Sequence, residues 1–289
     1  MARRTLLLSL VALALALTAS TAAAKPKLWE LLPLPPPMPA AAASGHVEVA
    51  DGAKIYYAIY GRTDGKADPV ILLHGGMGNS DHFGFQVPDL VDRFQVIVID
   101  SRGQGRSTLS KAKLSYHAMA ADVVAVMDAL KIGKAALVGW SDGGEIALDL
   151  AIHHPDRVAK LFVFGSNYDA NGHKPNRNPT TFQSYNAKCA SDFAKISKDP
   201  KKYQAVVEAL LPVWRNPAVF TKDQLRSIKA PTVVSDGEFD EIIELAQVRE
   251  MATLIPNAKL IVFPNTSHFA LWQDPPSFNK ALVEFLIAK

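Results

Sequence analysis

From residue 46 onward, hydrophobic residues are arranged along the chain in two alternating patterns. One pattern consists of short, almost continuous apolar runs, at residues 70–73, 95–100, 134–138, 161–165, 231–237 and 259–263. In the other, apolar residues recur at helical spacing, at about residues 80–92, 115–131, 144–152, 241–254 and 275–288. Buried strands that alternate with amphipathic helices are typical of a parallel sheet covered by helices on both faces. The pattern therefore predicts the α/β fold class.

Two segments depart from this alternation. Residues 46–49 and 54–60 are strand-like and are separated by Asp51-Gly52, a dipeptide that favours a hairpin turn. Residues 168–225 are rich in Asn, Lys, Pro and aromatic residues, with helical patches such as residues 203–210. We therefore expect a hairpin at the start of the domain and an inserted helical lid at about 168–225.

The first 24 residues have the composition of an export signal. Arg3 and Arg4 form a basic start, residues 6–17 are apolar, and Ala22-Ala23-Ala24 offers a small-residue cleavage site. The apolar run is too short to span a membrane comfortably, and an uncleaved N-terminal anchor is the alternative. We predict a signal peptide at 1–24 and an exported protein, periplasmic or secreted, without stable membrane insertion after cleavage.

The next segment differs in composition from both its neighbours. Residues 25–45 are rich in Pro and Ala, a composition that favours extended, poorly packed chain, so we interpret them as a linker. Residues 46–289 then form one domain that includes the lid. The chain has 289 residues, of which 48% are hydrophobic, and this suffices for one large core.

Charge and cysteine content narrow the classes of partner. The formal net charge is +3, and without the first 24 residues, which hold Arg3, Arg4 and no acid, 29 basic residues face 28 acidic ones. A balance of +1 does not favour nucleic acid or an anionic membrane as partner, so we expect a small-molecule substrate. Cys189 is the single cysteine, which excludes an internal disulfide, and we interpret it as a partly buried apolar residue.

The most informative motif is Gly139-Trp140-Ser141-Asp142-Gly143, which reads G-x-S-x-G. It lies between the predicted strand at 134–138 and the predicted helix at 144–152, and this strand–turn–helix context favours a nucleophile elbow. The turn holds the serine in a strained conformation, for which its glycine neighbours leave room. The Ser141 hydroxyl then lies at a helix N-terminus, where backbone N–H groups stabilise a developing anion.

A serine hydroxyl needs a base and an acid that orients the base. His268 follows the last predicted strand, whereas the other seven histidines are less well placed. Asp240 follows the penultimate strand through a short turn, so the order is Ser, Asp, His. Three other carboxylates could serve as the acid or could be turn-forming or solvated groups: Asp236, Glu238 and Asp169.

The oxyanion hole requires two backbone N–H donors. We assign one to Asp142, directly after the nucleophile, and the second to Gly76 in the loop His74-Gly75-Gly76-Met77-Gly78, with Met77 as the alternative. His74 is expected to fix this loop by hydrogen bonds. A phosphate-binding interpretation is weak because no Lys-Ser/Thr pair follows the glycines. Residues 100–107 are interpreted as a rigid loop whose charged groups pair locally.

From about residue 46 to 289 the chain resembles the α/β-hydrolase family. Residues 74–76, 100–107 and 139–144, with Asp240 and His268, match in order the family's oxyanion loop, structural loop, elbow, acid and base. The resemblance implies a mostly parallel eight-stranded sheet with helices on both faces, a serine-esterase mechanism, and neither cofactor nor metal. The elbow is similar to the valacyclovir-hydrolase-like branch. The oxyanion loop is similar to that of proline iminopeptidases, although Met77 stands where those usually carry Pro.

We therefore expect a serine hydrolase that cleaves a small carboxylic ester through an acyl-enzyme. Amidase or aminopeptidase, thioesterase, carbon–carbon bond hydrolase and cofactor-free perhydrolase activities stay open, as does a non-catalytic binding protein of the same fold. The Asp142 carboxylate either anchors a substrate amino group or is favoured by the helix dipole. Trp140, Met77 and Trp272 are the expected substrate-binding residues, with core packing as the alternative for the aromatic pair. The natural substrate and the oligomeric state are open.

Overall fold

The computed structural model describes residues 26–175, 179–216 and 219–288, and the predicted signal peptide at 1–24 lies outside them. The strands among the described residues form one sheet of eight, in the order β1-β2-β4-β3-β5-β6-β7-β8. They are β1 (Ala43–Glu48), β2 (Lys54–Gly61), β3 (Pro69–Leu73), β4 (Gln95–Ile99), β5 (Ala135–Trp140), β6 (Val158–Phe164), β7 (Thr232–Gly237) and β8 (Ala258–Phe263).

The sheet is mostly parallel, as predicted. Strand β2 pairs antiparallel with β1 and β4, and the strands from β4 to β8 across the sheet are all parallel. In chain order the sheet grows first from β3 to β4 and then in the opposite direction to β5, so the order reverses at β3. Loops at the carboxyl ends of strands diverge at such a reversal and leave a crevice that binds ligands.

Helices follow the parallel strands. They are α1 (Val87–Leu90), α2 (Tyr116–Ala129), α3 (Asp142–His153), α4 (Thr180–Ile196), α5 (Tyr203–Trp214), α6 (Lys222–Arg226), α7 (Leu245–Leu254), α8 (Ala270–Gln273) and α9 (Pro275–Ile287). Helices α2 and α3 pack against each other, and α3 also packs on β3, β5 and β6. No helix of the described ranges is both long and apolar enough to cross a membrane.

Two predicted helices are shorter than expected. The segment at 80–92 contains a 3₁₀ turn at Ser80–Phe83 and the single turn α1, because Pro88 has no amide hydrogen to bond the carbonyl of Gly84. The predicted helix at 241–254 begins only at Leu245. The reason is that the Asp240 side chain accepts the preceding amides, so the chain forms a turn there instead of a helix.

The predicted lid region contains α4, α5 and α6 between β6 and β7. Short 3₁₀ turns at Ala170–Gly172 and Pro200–Lys202 precede α4 and α5. Residues of α4 and α5 line the cavity described below, so this insertion covers the carboxyl ends of the strands.

Residues 26–42, here called the N-terminal strap, run against the domain. The ring of Trp29 stacks on that of Phe239 with centroids 4.0 Å apart. Gln273 Nε2 donates to the carbonyl of Leu31 over 2.8 Å, and Asn265 Nδ2 donates to that of Pro26 over 3.0 Å. The segment expected to be a poorly packed linker is therefore attached to the domain near β8 and α8, and β1 begins at Ala43, within the predicted linker range.

Candidate active site

Ser141 lies between the end of β5 and the start of α3 with φ +53° and ψ −124°. Non-glycine residues rarely adopt such a conformation, which costs on the order of 1–3 kcal/mol. Hydrogen bonds hold it in place: the Ser141 amide donates to Phe164 O over 2.9 Å, and its carbonyl accepts from Ser166 Oγ over 2.8 Å. The predicted strained turn is present, and the serine is only partly buried.

The glycines of the elbow are required by close packing. A Cβ atom on Gly143 would collide with the carbonyl oxygen of Leu73 at the end of β3. One on Gly139 would collide with the carbonyl of Gly143. The absence of these side chains lets α3 start directly against β3 and β5, which places Ser141 at the crevice.

His268 and Asp240 are joined by a hydrogen bond. His268 Nδ1 lies 2.6 Å from Asp240 Oδ2, and both side chains are buried. The other oxygen of Asp240 accepts from the amides of Ile242 and Ile243 over 2.6 and 2.7 Å. Since Nδ1 faces the carboxylate, Nε2 is the ring nitrogen available to a second partner, and His268 lines the same cavity as Ser141.

The contact between His268 and Asp240 shifts the pKa of each side chain. Burial lowers the pKa of His268, but the nearby charge and hydrogen bond of Asp240 outweigh it and raise the pKa above the ordinary 6.5. Burial raises the pKa of Asp240, but the charge and hydrogen bond of His268 lower it by more, so the net shift is downward. The two shifts agree and favour the charged form of the pair.

The other three candidate acids have different partners. Asp236 Oδ1 accepts from the Gly237 amide over 2.8 Å, and Glu238 Oε2 accepts from the Asn265 amide over 2.9 Å. Asp169 accepts from Gln247 Nε2 over 2.7 Å and caps the turn that follows it. Among the four candidates, the bond to His268 is made by Asp240.

His74 fixes the loop that follows β3. The Ser101 amide donates to its Nε2 over 3.0 Å, so Nδ1 carries the hydrogen and donates to the Gly75 carbonyl over 2.8 Å. Burial lowers the pKa of His74 to about 4, so the ring is neutral at pH 7. Its tautomer is therefore set by two backbone groups.

The loop at 100–107 pairs locally. Asp100 accepts from the Ser80 amide over 2.7 Å and from the Arg106 amide over 2.8 Å. Arg102 contacts both oxygens of Asp122, at 2.8 and 2.5 Å. The charged groups of the loop are therefore paired with nearby residues, which agrees with a structural interpretation of the loop.

Gly76 lies against the start of α3. A Cβ atom added to it would be 2.6 Å from Asp142 Oδ2 and 2.9 Å from the Trp214 ring. Within the described ranges no backbone carbonyl accepts the Gly76 amide, and the Asp142 amide, at the first helical position, has no partner within its helix. The two expected oxyanion donors therefore come from neighbouring residues on the cavity wall.

The Asp142 side chain is part of that wall. It accepts from Trp214 Nε1 at 3.0 and 2.9 Å and from the Tyr116 hydroxyl at 3.1 Å. Burial raises the pKa of Asp142 to about 6, although these hydrogen bonds and the charge of His268 lower it. A carboxylate held by two neutral donors, in a cavity, can contact a cationic substrate group.

The cavity measures about 260 Å³. Sequence reasoning predicted the residues from the elbow, the oxyanion loop and the His268 loop, but it missed those from the lid and from the turn after Asp240. The lining residues are Gly75, Gly76, Met77, Trp140, Ser141, Asp142, His173, Phe182, Tyr185, Asn186, Val207, Trp214, Ile242 and His268. The aromatic composition of residues 168–225 was the available signal, but it does not say which side chains face inward.

The three expected substrate-binding residues differ in position. Trp140 and Met77 line the cavity, and Met77 has a positive φ of +63°. Trp272 is outside the lining: it packs on Trp140 with ring centroids 5.4 Å apart and donates to the His82 carbonyl. The short distance in sequence between Trp272 and His268 suggested a place in the cavity. In the structure, however, Trp272 lies on α8 behind Trp140 and is buried in the core.

Comparison with known proteins identifies relatives of the whole domain. Residues 68–197 match the family described as the alpha/beta hydrolase fold. A protein named as a carbamate hydrolase in Caulobacter segnis is 30% identical over an aligned length of 244 residues, and the match covers 75% of this chain and 91% of the relative.

Solved structures agree with this result. Est816, described as an N-acyl homoserine lactone degrading enzyme, is 32% identical with a TM-score of 0.65, and the match covers 83% of this chain and 100% of Est816. A thermophilic esterase from Thermogutta terrifontis has a TM-score of 0.68 at 24% identity, with 85% and 98% of the two chains covered. At that identity the esterase shows the shared fold.

Proposed function

The chain belongs to the α/β-hydrolase family, and on this premise we propose that it hydrolyses small carboxylic esters through a covalent acyl-enzyme. The observation that carries the proposal is the buried hydrogen bond from His268 to Asp240, next to a cavity that also exposes Ser141. A base oriented by an acid, beside a serine on a strained turn, is the arrangement that nucleophilic acyl transfer requires.

The proposed reaction has two halves. His268 takes the proton of Ser141 as the hydroxyl attacks the ester carbonyl, and Asp240 stabilises the imidazolium. The amides of Asp142 and Gly76 bind the oxyanion, and His268 then protonates the departing alcohol. In the second half, His268 activates a water that releases the acid and restores Ser141.

The size and lining of the cavity support a small, mainly apolar substrate. A volume of about 260 Å³ is slightly below the range of ordinary ligand pockets, about 300–1,000 Å³, and Trp140, Phe182 and Val207 supply apolar walls. Est816 acts on a lactone, which is a cyclic ester, and the Caulobacter relative is named for a carbamate, so both bond types belong in a substrate panel.

The test is a hydrolysis screen with p-nitrophenyl acetate, butyrate and octanoate, a lactone and a carbamate. We expect the short esters to react and Ser141→Ala to lower kcat by a factor of about 10⁴ or more. Ser191→Ala, at an exposed serine on α4, is the matched control and should keep full activity. A fluorophosphonate probe should label the wild type and should not label the Ser141→Ala variant.

Two results would contradict the proposal. Retention of ester turnover by the Ser141→Ala variant would exclude this residue as nucleophile. A well-folded wild type that neither turns over the panel nor reacts with the fluorophosphonate would instead support a binding protein.

The Asp142 carboxylate favours α-amino esters as a second substrate class. Its named hydrogen-bond donors, Trp214 and Tyr116, are neutral, so a substrate ammonium would meet a negative charge above the pKa of about 6. We expect Asp142→Asn to reduce kcat/KM for an amino ester by about 10-fold or more relative to the neutral ester of equal length. Equal losses of kcat/KM on both esters would mean that Asp142 has a structural role and does not bind the amino group.

Localisation is a separate proposal. The predicted export signal at 1–24 favours a periplasmic or secreted protein, and N-terminal sequencing of the chain recovered from outside the cytoplasm is expected to begin at Lys25. Recovery of an intact Met1 from the membrane fraction would favour the uncleaved anchor.

A further inference from the structure

Three potential metal ligands meet on the surface of α2 and α3, away from the cavity. His117 lies in the first turn of α2, and Asp149 and His153 are one turn apart on α3. One ligand atom from each lies within 4.8 Å of the other two. His117 and Asp149 are 32 positions apart in the sequence, so the grouping is not visible there, and no metal was expected.

The distances suit a tetrahedral ion. Asp149 Oδ1 lies 3.0 Å from His117 Nδ1 and 3.2 Å from His153 Nδ1. Neighbouring ligands of Zn²⁺ at 2.0–2.1 Å are about 3.3 Å apart. Asp149 Oδ1 is therefore already near the required spacing from each imidazole nitrogen, and all three atoms lie within 4.8 Å of one another. The two imidazole rings have centroids 4.8 Å apart and are inclined at 70°, so they approach from different directions.

The charge of the cluster also favours a cation. The Asp149 side chain is 6% exposed, whereas those of His117 and His153 are 64% and 37% exposed. Among the described residues, the salt-bridge partners of Asp149 are these two histidines, which are cations only when protonated. A buried carboxylate whose described salt-bridge partners include neither Lys nor Arg lacks a permanent counter-charge, which a divalent ion would supply.

A cleft borders two of the three residues. His117 and Asp149 border a cleft of about 500 Å³ that extends to Pro212 and Val213 at the end of α5. Solvent can therefore reach the ion and provide the fourth ligand, as it does at three-ligand zinc sites.

We propose that His117, Asp149 and His153 bind a zinc-like divalent ion that holds α2 and α3 together. Asp149 is seven residues beyond Asp142 on α3, about 10 Å along the helix, so the ion is separate from the proposed chemistry. Tyr116, next to His117, donates to the Asp142 carboxylate, so the ion would fix two helices that hold the cavity wall.

The test uses the full chain stripped of metal by a chelator and titrated with ZnCl₂ in a calorimeter. We expect one Zn²⁺ per chain, a rise in Tm of roughly 5 °C at saturating Zn²⁺, and a visible absorption band with Co²⁺ of tetrahedral type. His117→Ala and His153→Ala should each weaken binding by about 100-fold or more. They are preferred to an Asp149 variant, since removal of a buried carboxylate would change folding as well as binding.

His154→Ala is the matched control, because His154 adjoins His153 but is not in the cluster. It should bind Zn²⁺ as the wild type does. The proposal is overturned if the His117→Ala and His153→Ala variants bind as tightly as the wild type, or if the folded wild type binds no Zn²⁺. Ser141→Ala should bind normally, which separates this result from the ester-hydrolase proposal.

Discussion

His268 and Asp240 share a buried hydrogen bond of 2.6 Å although 28 residues separate them in the chain. The geometry ties the protonation of the proposed base to the charge of one carboxylate. Because Asp240 stabilises the imidazolium, it raises the pKa of His268, and a protonated ring cannot accept the Ser141 proton.

The expected consequence is an acid limb in the pH profile. As pH falls, kcat/KM for a neutral ester should decline with an apparent pKa above 6.5, since only the neutral imidazole acts as base. Stopped assays from about pH 5 to about pH 9 measure it. Asp240→Asn should lower kcat by about 10³–10⁴-fold. An acid limb below 6.5 in the wild type would contradict the assigned coupling.

Gly76 provides a second prediction for a single residue. Gly76→Ala places a methyl group 2.6 Å from Asp142 Oδ2, so the oxyanion loop must shift, and we expect kcat/KM to fall about 10-fold or more. Gly133→Ala is the control, because a Cβ atom there meets nothing within 4 Å. Steady-state kinetics measure kcat/KM for both variants. Equal, unchanged rates for both variants would show that this loop has freedom to move.

The sequence predicted several of these positions because they depend on local patterns. Ser141 was identified by its glycines, and Asp240 and His268 by their order after strands. The surroundings of Asp142 could not be predicted in this way, since its donors Trp214 and Tyr116 are 72 and 26 residues distant. Such contacts depend on how the lid and α2 pack, which no local pattern describes.

Among the elements, helix α4 of the lid is attached directly to the oxyanion loop. The Tyr185 hydroxyl donates to the Gly76 carbonyl over 3.0 Å, and the Tyr185 ring packs on Trp140 with centroids 5.4 Å apart. The carbonyl and N–H of one peptide share a plane, so this bond orients the Met77 amide, the alternative oxyanion donor, and holds the loop next to the Gly76 amide. The lid therefore supports the site as well as covering it.

Tyr185→Phe removes that hydrogen bond and keeps the ring. We expect kcat to fall about 10-fold with little change in KM, because the bond positions backbone and leaves the apolar wall intact. Tyr168→Phe, which breaks a bond to Glu250 outside the cavity lining, should leave both constants unchanged. A change confined to KM would mean that Tyr185 contacts substrate and does not support the loop.

The accuracy of the predicted elements follows the strength of each pattern. Continuous apolar runs predicted the parallel strands, because burial on both faces leaves a clear signal. The helix expected at 80–92 is interrupted between Gly84 and Pro88. The helix expected at 241–254 begins only at Leu245, because the Asp240 carboxylate accepts the preceding backbone amides. Local hydrogen bonds of this kind compete with helix formation and have no periodicity.

At the scale of the whole molecule, the N-terminal strap joins distant parts of the domain. Leu32 and Met38 pack against the core, and Gln273, which binds the Leu31 carbonyl, also binds Ser267 next to His268. The strap therefore belongs to the folded unit that holds the proposed base, although its Pro-rich composition gave no sign of this.

Deletion analysis tests this role. A chain that starts at Lys25 should be as stable as the full one, whereas a start at Ala42 should cost roughly 2–4 kcal/mol, from loss of the packed Trp29, Leu32 and Met38. The corresponding drop in Tm is roughly 5–10 °C. Differential scanning calorimetry measures the Tm of both chains. Identical Tm values would mean that the strap does not contribute to the stability of the domain.

The last helix ends on the opposite side of the molecule from the proposed chemistry. Lys160, near the start of β6, donates to the carbonyls of Leu286 and Ala288, while Gly165, just past the end of that strand, lies against His268. About five residues of strand separate the two points by about 16 Å. An affinity tag, a biosensor surface or a fused reporter joined through residue 288 would accordingly leave the crevice open to solution, whereas the same attachment at residue 26 would crowd Asn265 and the loop leading to the imidazole.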